Sequence, residues 1–145
     1  GPSEPATPTQ TFKNYILALK KNDLTAVKLM LSDGTIKMHE QEAKAQNVNL
    51  DDIVKRDTLV AEGQKTVEFR NEKIEGETAT LEVKNAFGEW ETVPFLYEEG
   101  AWKIDKKGYA DRLMQVIDES TDQKIDEAIN QGRADALNLG PRAGI

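Results

Sequence analysis

The spacing of apolar side chains changes from helical to alternating between about residues 60 and 67, and this change limits the fold more than any other feature. Before it, Phe12, Tyr15, Ile16 and Leu19 recur at helical intervals, as do Leu24, Val27, Met30 and Leu31. After it, Val67 and Phe69 alternate with polar residues, as do Ala79, Leu81 and Val83, and then Val93, Phe95 and Tyr97. The stretches "EKIEGET", "NAFGE" and "EEG" separate these segments and supply the turns, and the last turn leads into Ala101–Asp105. Helices followed by short alternating strands with glycine turns predict an α+β fold, with N-terminal helices on one buried face of a four-stranded antiparallel meander. Trp102 and Ile104 share a face of the last strand and should point into that core. Burying the indole, at roughly 150–250 Å² and ~25 cal/mol per Å², contributes about 4–6 kcal/mol as an upper bound.

Local signals place the helices. Thr7-Pro8-Thr9-Gln10 offers a capping hydroxyl and a proline suited to a first helical turn, so a helix should run from there to about Asn22. Asp23 caps a second, short helix that Asp33-Gly34 should stop. Thr35 then restarts a polar helical segment carrying Ile36, Met38, His39 and Ala43. Asn49 caps one more, with Leu50, Ile53, Val54 and Leu59 facing inward and Gly63 ending it. Pro94 cannot donate to a sheet ladder, so its strand needs an edge, a bulge or a bend there.

Composition removes several function classes. The 145 residues carry 19 basic and 26 acidic side chains, a formal charge of −7, with no basic block. Nucleic-acid binding is therefore not expected, because a phosphate backbone calls for a basic stripe. No apolar run approaches the ~20 residues of a membrane span. Without cysteine there are no disulfides, thiolate nucleophiles or cysteine-ligated metals. Gly1-Pro2 reads as a protease scar, residues 1–6 as tag remnant and linker, and 7–107 as the main domain. A helical extension follows at 108–131, with Leu113, Val116 and Ile117 in one apolar patch and Ile125, Ala128 and Ile129 in a second, separated by a break at Ser120–Gln123. Residues 132–145 are expected to be a flexible tail.

"TFKNYILALKKND" with "LTAVKLMLS", "EKIEGETATLEV" and "VPFLYEEGAWKID" resemble the nuclear transport factor 2-like superfamily, and more narrowly its bacterial lipoprotein-type domains of unknown function. The resemblance covers roughly residues 7–107. It implies a curved sheet wrapped over helices as a cone, often with a pocket at its open end. It also implies an extracytoplasmic, periplasmic or cell-surface location, with a lipid anchor upstream of these residues; a cytoplasmic location stays open. About forty residues follow the Trp-Lys-Ile-Asp strand, which usually lies near the end of such domains, and the carboxylate and tyrosine arrangement of the family's isomerases is missing.

The candidate pocket residues are Trp90, Tyr97, Trp102, Asp105 and His39. Trp90 and Tyr97 suit a pocket mouth or sheet-face packing. Asp105 stands where the last strand leaves the sheet and suits a capping role. His39, the only histidine, sits beside Glu40 and near Glu42, and adjacent helical positions do not face one another. No catalytic residue, metal site or cofactor is therefore expected. The expected function is a non-catalytic ligand- or protein-binding or scaffold domain. Its partner would be an unknown protein or a small apolar ligand, reached as a monomer or homodimer, with membrane contact only through the anchor. The alternatives are a pocket enzyme using general acid/base chemistry, isomerase- or dehydratase-like, and a self-assembling structural module.

Overall fold

A computed structural model of the chain describes residues 4–115, 117 and 118. Four helices precede the sheet: α1 (Pro8–Lys20), α2 (Leu24–Leu29), α3 (Asp33–Gln46) and α4 (Leu50–Arg56). The strands β1 (Phe69–Glu75), β2 (Thr78–Lys84), β3 (Trp90–Glu98) and β4 (Ala101–Ile104) form one antiparallel sheet in the order β1-β2-β3-β4. A fifth helix, α5, starts at residue 106 and is described as far as 118 apart from 116. The architecture is α+β, with an open four-stranded meander. The chain divides after Tyr109 into two units, of which the first holds α1–α4 and the sheet. The second apolar patch, the break at Ser120–Gln123 and the tail lie outside the described residues, as does Val116.

Capping follows the polar side chains named above, with one correction. Thr7 accepts a hydrogen bond from the Gln10 amide, and Asp23 from that of Ala26. Asn49 and Asp52 form a capping box at α4. Asp33-Gly34, however, does not stop α2. The helix ends at Leu29, and Asp33-Gly34 is the first turn of α3, because the Ser32 hydroxyl accepts the Thr35 amide and caps the helix two residues earlier. Similarly, α4 ends at Arg56, so Leu59 lies in the connection to β1 while still packing against the core.

The core forms between α1 and the sheet. Phe12, Tyr15, Val27, Val54, Leu81, Val93, Phe95 and Ile104 are buried, as expected from their spacing. Trp102 is 9% exposed, and its ring meets that of its cross-strand partner Tyr97 edge-on at 5.1 Å. Glu99 and Gly100 both take positive φ, 53° and 78°, and make the two-residue β3–β4 turn. The region read as the turn "EKIEGET" is mostly strand. β1 runs on to Glu75 and only Gly76-Glu77 turns, after an irregularity between Arg70 and Lys73 where Asn71 has φ 54°. Alternation is hard to see in β1 because Arg70–Glu75 are all exposed.

Pro94 sits in an inner strand, and the ladder shows why this is tolerated. Its carbonyl accepts the Asp105 amide at 3.0 Å, so the missing N–H would also point towards β4. There β4 has already ended, and the Asp105 carbonyl instead accepts the Tyr109 amide in the first turn of α5. The proline therefore breaks no ladder bond. On the far side of β4, the Ile104 amide donates to Met30 and the Ile104 carbonyl accepts from Ser32, which joins the α2–α3 link to the sheet.

Candidate functional site

Four ionisable side chains from three parts of the chain meet beneath α3. His39 and Glu42 lie three residues apart on α3 and so share one side of it. Asp57 is the C-cap of α4, and Lys106 opens α5. Lys106 Nζ donates to the Asp57 carbonyl at 2.6 Å and lies 3.3 Å from His39 Nε2. His39 Nδ1 approaches Glu42 Oε1 at 3.5 Å, and Asp57 Oδ1 accepts from Arg56 Nε at 3.3 Å. His39 and Lys106 are 1% and 4% exposed, whereas the Glu42 and Asp57 side chains are 32% and 37% exposed. The cluster therefore runs from the core to the surface, with its carboxylates outermost.

Its electrostatics follow from this burial. Desolvation pushes the Lys106 ammonium down to about 8, against the opposing pull of Asp57 and Glu42. Burial, then the Lys106 charge, pushes His39 down to about 4, so the imidazole is neutral at pH 7. The approach to Glu42 is then not an ion pair at that pH, and Nδ1 is a buried ring nitrogen with no hydrogen-bond partner among the described residues. Burial and a hydrogen bond with Asp57 raise Glu42. Partial burial pulls Asp57 upward, but its bonds to Glu42 and Arg56 hold it below the usual carboxylate value. The Arg56 guanidinium beside Asp57 supplies positive charge to this pair of carboxyl groups. Donor atoms of His39, Glu42 and Asp57 all lie within 4.8 Å of one another, the arrangement that could hold a metal ion.

A separate groove of about 950 Å³ opens between the C-terminal end of α1, the α4–β1 connection and the β2–β3 turn. Ile16, Leu19, Leu24, Leu59, Val60 and Val67 give it apolar walls. Two buried polar groups hold the connection that forms one wall: the Lys106 ammonium at the Asp57 carbonyl, and the Tyr15 hydroxyl, which accepts the Leu59 amide at 3.2 Å. At the rim, the Asn85 side chain accepts from the Phe87 and Glu89 amides and shapes the turn, leaving Phe87 88% exposed. Tyr109 reaches the groove and hydrogen-bonds Glu91.

None of the five residues singled out from the sequence lines this groove. Tyr97 and Trp102 pack on the core side of the sheet. Trp90 lies on the opposite face, by strand alternation, with the Arg70 guanidinium 4.0 Å from its ring centroid. Asp105 is a strand-end residue whose Oδ1 accepts from the Ser32 hydroxyl, and whose carboxylate fills the space a Cβ on Gly108 would need. Only His39 enters the ionisable cluster. Glu42, named beside His39 in the sequence but set aside, joins it through their i,i+3 spacing, whereas Asp57 and Lys106, which no local signal marks, arrive through tertiary folding. No family model matches the chain, and no curated protein or solved structure is found to be similar to it.

Proposed function

We propose that the chain is a non-catalytic binding module that takes a small ligand with an apolar body in the groove beside the β2–β3 turn. The observation carrying this reading is the groove itself. Its volume falls in the ~300–1,000 Å³ range of ligand sites, and its apolar walls are flanked by polar and charged side chains, among them Lys55, Arg56, Glu62 and Glu91. His39 and Lys106 lie in the core and do not line it, while Glu91 and Tyr109, which are hydrogen-bonded to each other, do.

The wider part of the proposal is a nuclear transport factor 2-like, lipoprotein-type domain held outside the cytoplasm. It is supported by the helices-then-meander order, by "GAWKID" on β4, and by the Pro/Ser/Thr-rich lead suited to a tether. A lipobox cysteine encoded upstream of these residues is the expected finding, and its absence from the natural gene refutes the anchor.

The groove is tested with an anionic apolar fluorophore such as anilinonaphthalene sulfonate, titrated into the folded protein. One-site saturable binding is expected, weakened at least fivefold by Val60→Asp and more modestly by Phe87→Ser. Binding that does not saturate, or that ignores Val60→Asp in a variant with an unchanged unfolding curve, removes the groove as the site.

A further inference from the structure

We propose that His39 Nδ1, Glu42 and Asp57 form a site for a zinc-like, first-row divalent ion, entered from the surface between the two carboxylates. The inference is independent of the groove and of its ligand. Three observations carry it. The donor atoms already lie within 4.8 Å of one another. Nδ1 is a ring nitrogen in a side chain 1% exposed, it has no hydrogen-bond partner among the described residues, and it stands 3.5 Å from Glu42 Oε1. Glu42 and Asp57 stand at the outer end of the cluster with side chains 32% and 37% exposed, which leaves a way in from solvent.

Geometry and donor type select the ion. Tetrahedral zinc with ligands at about 2.0–2.1 Å spaces neighbouring ligand atoms by about 3.3 Å. The His39–Glu42 pair stands at 3.5 Å, close to that edge. The remaining closure falls to the Glu42 and Asp57 side chains, both part-exposed and able to turn, while the buried ring stays fixed. A nitrogen donor with two carboxylates suits zinc or its neighbours better than magnesium or calcium, which prefer all-oxygen shells. Three protein ligands leave a fourth position to water, the pattern of an open site.

Lys106 does not occupy the ion's place. It lies at Nε2, and the lone pairs of the two ring nitrogens diverge; the Asp57 carbonyl holds its Nζ there at 2.6 Å.

The composition makes the test direct, because the chain holds one histidine and no cysteine. Zinc chloride is titrated into the metal-free full chain while the ring protons of that histidine are followed by NMR. The expected result is a bound set of ring signals that is complete at one equivalent. The double variant E42Q/D57N should keep its unfolding curve and lose at least about tenfold in zinc affinity, as removal of two ligands requires. Ring signals that stay in place under excess zinc overturn the proposal, whatever the variant does. So does a folded double variant whose affinity falls by less than tenfold.

Discussion

Tyr15→Phe isolates one oxygen atom on which a wall of the groove depends. The ring is fully buried and packs against Phe12 at a centroid distance of 5.5 Å, so phenylalanine retains the packing. What is lost is the acceptor for the Leu59 amide. A buried donor left without a partner costs about 1–3 kcal/mol, and the lower half of that range applies here because the site is part-buried. A second signature is alkaline. Burial raises Tyr15 from 10.0 to about 12, partly offset by the Leu59 bond. An unfolded tyrosine ionises near pH 10, so the folded chain binds this proton more tightly. The associated stability is fully present below pH 10 and is lost as pH rises through 12. At about 1.36 kcal/mol per unit, the full loss is about 2.7 kcal/mol, with about half of it gone at pH 11. Phenylalanine has no such dependence. Urea unfolding followed by far-UV circular dichroism should therefore show Tyr15→Phe about 1–2 kcal/mol less stable at pH 7, with the gap narrowing by about 1.4 kcal/mol at pH 11. Hydrogen exchange at the Leu59 amide should also accelerate. A gap at pH 7 below about 0.5 kcal/mol, or one that stays constant to pH 11, refutes the assigned bond and the burial behind it.

Other perturbations probe other parts of the fold. Trp102→Ala removes the indole that meets Tyr97 and should cost about 3–5 kcal/mol in chemical denaturation; a midpoint near that of the wild type would mean the residue is not in the core. His39→Gln places an amide in a fully buried ring site and should cost about 1–3 kcal/mol by thermal unfolding, so an unchanged Tm contradicts the packing beneath α3. Asp105→Ala takes away both the Ser32 bond and the carboxylate at the start of α5, and should lower stability by about 0.5–2 kcal/mol; no change would show that the helix start is held by other groups.

How far the fold was legible depended on whether a local rule governed each element. The helix starts at Thr7, Asp23 and Asn49, and the inward residues of β2, β3 and β4, are readable because capping hydroxyls, carboxylates and amides, and a two-residue period, act over a few positions. Ser32 was passed over because Asp33-Gly34 looks like a stop; a glycine ends a helix when it takes positive φ, and Gly34 does not. The extent of β1 was obscured because an edge strand with both sides wet has no alternation to display. The ionisable cluster lay further out of reach. The rule that adjacent helical positions do not face one another sets aside Glu40, but it does not apply to Glu42, three residues from His39 and on the same side of the helix. Asp57 and Lys106 join it across separations that only the folded chain closes, with Lys106 and His39 67 positions apart. The groove likewise comes from a connection whose shape is set by bonds from Tyr15 and Lys106, far away in sequence.

The irregularity in β1 bears on how copies of this chain behave in concentrated solution. A meander has two free sides, and either can recruit a strand from a neighbour and start aggregation. On one side, Ile104 already spends its amide and carbonyl on Met30 and Ser32, and β4 is only four residues long. On the other, the interrupted register at Asn71 and Glu72 breaks the straight row of backbone groups, and Thr9 of α1 donates from both its amide and its hydroxyl to the Glu72 carboxylate. Arg70, Glu72, Lys73 and Glu75 add alternating charges along the same strip. Glu72→Thr and Lys73→Val together would take away the Thr9 acceptor and two of the four charges on that strip while leaving the irregularity at Asn71 and the core in place, and should raise the tendency to stack strand on strand.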